Sequence, residues 1–104
     1  MALFIISRSP FERDDYKTIL RLAGMSEGSD VVLIQDGVIA AESAPPTFRQ
    51  MAEEARVRGV KFYALSEDLA ARGLTAGGMT EICDMKVIDM RGLVELVFKH
   101  RKVF

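Results

Sequence analysis

The chain has 104 residues, 49% hydrophobic and 28% charged, which suits one folded domain over residues 1–104 and excludes both a two-domain enzyme and a disordered segment. With 14 basic against 15 acidic side chains the net charge is −1, so the chain has no field with which to grip nucleic acid directly. No apolar run approaches the roughly 20 residues that cross a bilayer. Met1–Ile6 is too short an apolar stretch, with no basic segment before it, to be a secretory signal, so a cytoplasmic setting away from membranes is expected.

In chain order, Ala2–Ser7 is a continuous apolar run, as in a strand covered on both faces. Ser9-Pro10-Phe11-Glu12 then has the capping-box pattern, with proline at the first helical position, and predicts a helix starting there. Tyr16, Ile19, Leu20 and Ala23 continue as one amphipathic stripe, which Gly24 or Gly28 can end. Asp30–Gln35 reads as a second buried strand closed by Asp36-Gly37, followed by a short helical turn over Val38–Ala41 and a loop over Glu42–Pro46. Phe48, Met51, Ala52 and Ala55 repeat the helical spacing up to Gly59.

Val60–Leu65 is a third strand, rich in β-formers. Ser66 is placed to cap the helix after it, with Glu67 and Asp68 where a helix N-terminus favours negative charge and Gly73 as a left-handed stop. Leu74–Gly78 reads as a flexible loop. Lys86–Ile88 is a fourth strand, Asp89 a cap, and Arg91–Lys99 the last helix, after which Lys102–Phe104 can add a short edge strand. Strands alternating with helices, and apolar rather than strictly alternating themselves, predict a single-domain α/β three-layer αβα sandwich on a mainly parallel sheet of four or five strands. On the last helix Arg91, Glu95 and Lys99 form one charged stripe, while Leu93, Val94, Leu96, Val97 and Phe98 cover more of the circumference than one buried stripe needs. The excess can pack on a partner subunit or under neighbouring loops.

Little of the usual catalytic chemistry is present. No Gly-x-Gly-x-x-Gly and no Walker pattern follows a strand, and one histidine with one cysteine cannot build a zinc site, so no cofactor and no metal is expected. No nucleophile elbow surrounds any serine. His100, inside the charged run Lys99–Lys102, reads as a surface residue, and Asp36 as a turn residue paired with Gly37. Cys83 alone can carry sulfur, and it excludes an intrachain disulfide. Its acidic neighbours Glu81 and Asp84 and apolar neighbours Met79, Ile82 and Met85 all oppose thiolate formation, so it is a weak catalytic candidate against an ordinary packed thiol.

Four blocks carry a family resemblance. They are Arg8-Ser9-Pro10-Phe11-Glu12-Arg13; Gln35-Asp36-Gly37-Val38 with Ala40-Ala41; Val60 to Thr75, containing Ala71-Arg72-Gly73-Leu74; and Val87-Ile88-Asp89 followed by Leu93-Val94-Glu95-Leu96 and Lys99-His100. In this order they resemble the DsrH/TusB family, the small subunits of the DsrEFH and TusBCD sulfur-relay complexes. The resemblance implies two homologous partners, DsrE/TusD-like and DsrF/TusC-like, in a heterohexamer. It also implies a role in moving persulfide sulfur toward wobble-uridine 2-thiolation of tRNA, or in the oxidation of stored sulfur. In the sulfur-carrying sister subunit the working cysteine ends the strand before the Arg-Gly helix; the matching place here is Leu65-Ser66, which has no thiol. Sulfur-oxidiser members tend to carry a cysteine on the first helix, where this chain reads Tyr16-Lys17-Thr18-Ile19-Leu20. Cys83 matches neither position. The resemblance therefore implies a non-catalytic subunit. Two other readings stay open: a homo-oligomeric sulfur carrier using Cys83, and a small α/β module binding a ligand near Ser9, Asp36 and Ser66.

Overall fold

The computed structural model describes residues 1–77 and 83–104. Its elements run β1 (Leu3–Ile6), α1 (Tyr16–Met25), β2 (Asp30–Leu33), a 3-10 turn (Gln35–Val38), α2 (Ile39–Glu42), α3 (Pro46–Val57), β3 (Lys61–Leu65), α4 (Ser66–Ala71), β4 (Lys86–Ile88) and α5 (Met90–Lys99). The four strands are parallel in the order β1-β2-β3-β4. The C-terminal segment adds a fifth rung beside β1: Leu3 N–H donates to Lys102 O, Phe104 N–H to Leu3 O and Ile5 N–H to Phe104 O. No helix among the described residues is long and apolar enough to cross a membrane.

Handedness explains where the helices lie. Each step from β1 to β4 moves the same way across the sheet, and right-handed crossovers put the intervening helices on one face. The return from β4 to the edge beside β1 moves the opposite way and carries α5 over the other face. The first face therefore holds the main core, in which Phe4, Val31, Phe62 and Ala64 meet Tyr16 and Leu20 of α1, Phe48 and Ala52 of α3, and Leu69 of α4. The second face holds Leu3 and Val32 under Leu96 of α5. The expected three-layer sandwich is present, with unequal outer layers.

Three local expectations are corrected. The helix does not begin at Ser9-Pro10: Ser9 O accepts the N–H groups of Glu12 and Arg13, and Ser9 Oγ accepts that of Phe11, so the capping residues close a separate turn and α1 starts at Tyr16. The box fails because Glu12 is exposed and the chain passes through Asp14-Asp15, poor helix-interior residues, before the apolar stripe begins. Ser66 does not cap α4 either: it is the helix's first residue, and its hydroxyl donates to Glu67 Oε1. Third, His100 is not on the surface. The expectations for Gly73, which takes φ +65 after α4, and for Asp89, whose Oδ1 accepts Gly92 N–H, hold. Gly78, Met79, Glu81 and Ile82, on which part of the loop reading and of the Cys83 reading rests, lie outside the described residues.

Candidate functional site

In an open parallel sheet the ligand crevice lies beyond the strand C-termini, where successive connections leave for opposite faces. Here that point falls between β3, which feeds α4 on the first face, and β4, which feeds α5 on the second. Ser66 and Asp89 are the residues that follow these two strands. The chain's own carboxylates fill the place. Glu67 Oε2 accepts the backbone N–H of Met90 at 3.0 Å, so α4 and α5 are joined N-terminus to N-terminus. Asp89 Oδ1 takes Gly92 N–H at 2.9 Å. Met90 N–H and the Ser66 hydroxyl hold the Glu67 carboxyl below its ordinary pKa, so it stays charged through the neutral range. An anionic ligand or a thiolate would meet carboxylates at both helix starts instead of bare amides.

The neighbouring loop is equally self-satisfied. Gln35 adopts φ +49, and its N–H donates to Asp68 Oδ2 at 2.6 Å. Arg72 donates through Nε and Nη2 to Asp36 Oδ1, at 3.2 and 3.1 Å, and through Nη1 to the Asp68 carbonyl. Two of the sequence blocks thus form a single device: the Asp-Gly turn after β2 and the Arg-Gly helix after β3 are tied by one guanidinium. Asp36 is more than a turn residue, since it is Arg72's acceptor. Of the ligand-module residues, Ser9 is buried within its own turn, Asp36 is committed to Arg72, and Ser66 to Glu67.

Cys83 lies far from this rim, at the opposite end of the sheet, beside a cleft of about 220 Å³ that Arg56, Lys61, Tyr63 and Lys86 also line. It is buried, and burial pushes its thiol up to about 12; the nearby Arg56 charge offsets this in part. At neutral pH that leaves about a thousandfold less thiolate than an unperturbed thiol, whose value here is 9.0. Native protein should therefore react with a disulfide reagent at least about a hundredfold more slowly than guanidinium-unfolded protein; equal rates would show an accessible thiol. The shift also has a pH signature. The folded state keeps a proton that the unfolded state releases above its lower pKa, so this contribution is intact below about pH 9 and is lost as pH rises toward about 12. Cys83→Ala should flatten that alkaline decline in thermal stability.

The buried pair that sequence reasoning missed is Asp30–His100. His100 Nε2–H donates to Asp30 Oδ2 at 2.7 Å, both side chains being at most 2% exposed, and Lys99 Nζ adds a longer contact at 3.4 Å. His100 Nδ1 has no partner among the described residues. The signal was present in the spacing. Leu93, Leu96 and His100 lie at i, i+3 and i+7, the sheet-facing stripe of α5, and Asp30 opens an otherwise apolar strand.

The fold recurs in a protein of unknown function from Methanobacterium thermoautotrophicum (TM-score 0.68, 21% identity, 94% of this chain and 88% of that one). It recurs again in a conserved protein of unknown function from Bacteroides thetaiotaomicron (TM-score 0.71, 14% identity, 99% and 92%). Among curated proteins, Protein TusB of Escherichia coli K12 is 41% identical over 98 residues, covering 94% of this chain and 93% of the relative. Protein TusB of Shigella flexneri is 40% identical over the same span. The profile of DsrH-like proteins matches residues 8–103 and so takes in all four sequence blocks, the tied Asp-Gly and Arg-Gly turns and the carboxylate-filled crevice. On that near-complete match the chain belongs to the DsrH family.

Proposed function

We propose that this chain is a non-catalytic subunit of a cytoplasmic sulfur-relay complex, assembled with two homologous subunits of DsrE/TusD and DsrF/TusC type. The complex would serve 2-thiolation of the wobble uridine in tRNA. The identity to TusB proteins supports the branch. The observation that carries the non-catalytic role is the end of β3: Ser66 stands where the resembled sulfur carrier has its thiol, and Glu67 and Asp89 place carboxylates at both neighbouring helix starts. Negative charge raises a thiol pKa and repels a persulfide anion, so this rim is built against sulfur carriage. Cys83, buried with a raised pKa, does not replace it.

The test is a gene deletion scored by the 2-thiouridine content of total tRNA, complemented with wild type and with Cys83→Ala. Loss of the modification and full rescue by both genes is the expected result. Rescue by wild type alone, with Cys83→Ala folded, would make Cys83 the carrier and overturn the proposal. Unchanged 2-thiouridine together with a defect in oxidising stored sulfur would move the subunit to the other branch. The Arg8–Arg13 block, which resembles sulfur-oxidiser members, favours that second reading.

A further inference from the structure

A cleft of about 410 Å³ opens at the start of β1, beside the C-terminal rung. Its floor is apolar: Ala2 and Phe4 lie under it, and the Phe104 ring stacks on Phe4 with centroids 5.3 Å apart. The far end of α1 contributes Leu22, and the rung brings Arg101 and Lys102 into the lining. Around this cleft Leu22, Phe104 and Met1 stay between 49% and 68% exposed, a contiguous apolar surface that the fold itself leaves open. No carboxylate among the described residues lines it, and neither Arg101 nor Lys102 has an ion-pair partner there. Two cations beside an open aromatic floor fit an occupant that carries an aromatic anchor flanked by carboxylates.

The chain itself carries such an anchor. The turn after β1, Phe11-Glu12-Arg13-Asp14-Asp15, is exposed throughout, with Phe11 at 58%. Ser9 fixes the turn by accepting the N–H groups of Phe11, Glu12 and Arg13, so the ring is presented on an ordered loop and docking orders little more. Three carboxylates against one guanidinium give these five residues a charge of −2, and none of the four is ion-paired among the described residues. The exposed phenylalanines among the described residues are Phe11, Phe98 and Phe104. Phe98 is followed by Lys99, Arg101 and Lys102, and Phe104 belongs to the cleft, which leaves Phe11 as the acidic anchor. Turn and cleft sit at opposite ends of β1, the turn after Ile6 and the cleft at Met1, so a chain cannot fill its own cleft. We infer that the cleft seats the Phe11–Asp15 turn of a second copy of this chain. The ring lies over Phe104 and Leu22, and Glu12, Asp14 and Asp15 face Arg101 and Lys102. Because the two patches differ, the contact sets no like-charged surfaces against each other. It stands whether or not the relay reading holds.

The experiment follows the mass of the full chain against concentration by sedimentation velocity. Wild type should rise above the monomer mass, and its self-association should weaken about tenfold or more between about 0.05 M and about 0.5 M salt. Phe11→Ser, and separately Arg101→Glu with Lys102→Glu, should each weaken it by about tenfold or more. All three side chains are exposed, so both proteins should melt like wild type. Mixing these two variants is the decisive arm. One keeps the cleft and the other the turn, so together they should form a one-to-one dimer and nothing larger. Val57→Ser, exposed on α3, should associate like wild type. Wild type that stays monomeric up to about 1 mM would overturn the contact. So would association that survives both variants, or a mixture of the two that stays monomeric. Association abolished by Phe98→Ser instead would move the interface to α5. Monomeric wild type that binds decanoate, with binding lost on Arg101→Glu and Lys102→Glu, would replace the second copy by a small amphiphilic anion.

Discussion

Gly37→Ala is expected to lower the melting temperature by roughly 12–25 °C, the equivalent of about 3–5 kcal/mol for a domain of this size. The cause is a backbone collision. A Cβ built on Gly37 would lie 2.1 Å from the carbonyl oxygen of Ile6 and 2.8 Å from its carbon. No rotamer relieves such a contact, because neither atom belongs to a side chain. The Asp-Gly turn would have to lift off the end of β1, and with it Asp36, Arg72 and the Gln35–Asp68 bond that joins the turn to α4. Gly77→Ala is the control, since its nearest neighbour would be the Thr75 hydroxyl at 4.0 Å. That variant should melt within about 2 °C of wild type. A Gly37→Ala protein melting alongside it would mean that the turn moves freely and that the tie to α4 holds nothing in place.

The fold was largely legible because its strands and helices advertise their periods. Tyr16, Leu20 and Ala23, and again Phe48, Ala52 and Ala55, are the residues the helical spacing picked and the structure buries. The C-terminal edge strand was legible too. What misled was polar chemistry read locally. Ser9-Pro10-Phe11-Glu12 and Ser66-Glu67-Asp68 both look like caps for the helices beside them. The structure spends these side chains otherwise: Ser9 on its own turn, Glu67 on Met90 at 23 residues' remove, Asp68 on Gln35 at 33. Such partners are set by the sheet order, which brings strand ends together irrespective of chain distance. A cap motif fixes only which atoms seek a donor, not which donor the topology supplies.

The same limit hid the pair with the second large expected effect. His100→Ala should destabilise the protein by about 3–5 kcal/mol, because it removes a fully packed ring together with the hydrogen-bond partner of a buried carboxyl. The loss is of that size because Asp30 cannot hydrate in place: its side chain is 2% exposed, and after the substitution it would keep, among the described residues, the 3.4 Å contact from a half-exposed Lys99. Asp30→Ala should cost comparably, since it leaves the His100 ring buried with neither nitrogen bonded among the described residues. The double variant separates this from simple loss of packing. With both polar groups gone, no dehydrated partner remains, and the measured loss should fall short of the sum of the singles by about 1–3 kcal/mol. Thermal or urea unfolding of the four proteins gives the cycle. Strict additivity would mean that the 2.7 Å contact contributes nothing and that each side chain matters only for the space it fills. Coupling also has a structural consequence: His100 lies two residues before Lys102, where the rung that pairs with β1 begins. Amide exchange at Leu3 and Ile5, whose N–H groups bond Lys102 and Phe104, should rise in His100→Ala even where the core stays protected. If those two amides keep their protection, the C-terminal strand is held by its own backbone bonds and the Phe4–Phe104 stack, with centroids 5.3 Å apart, rather than by the pair beneath it.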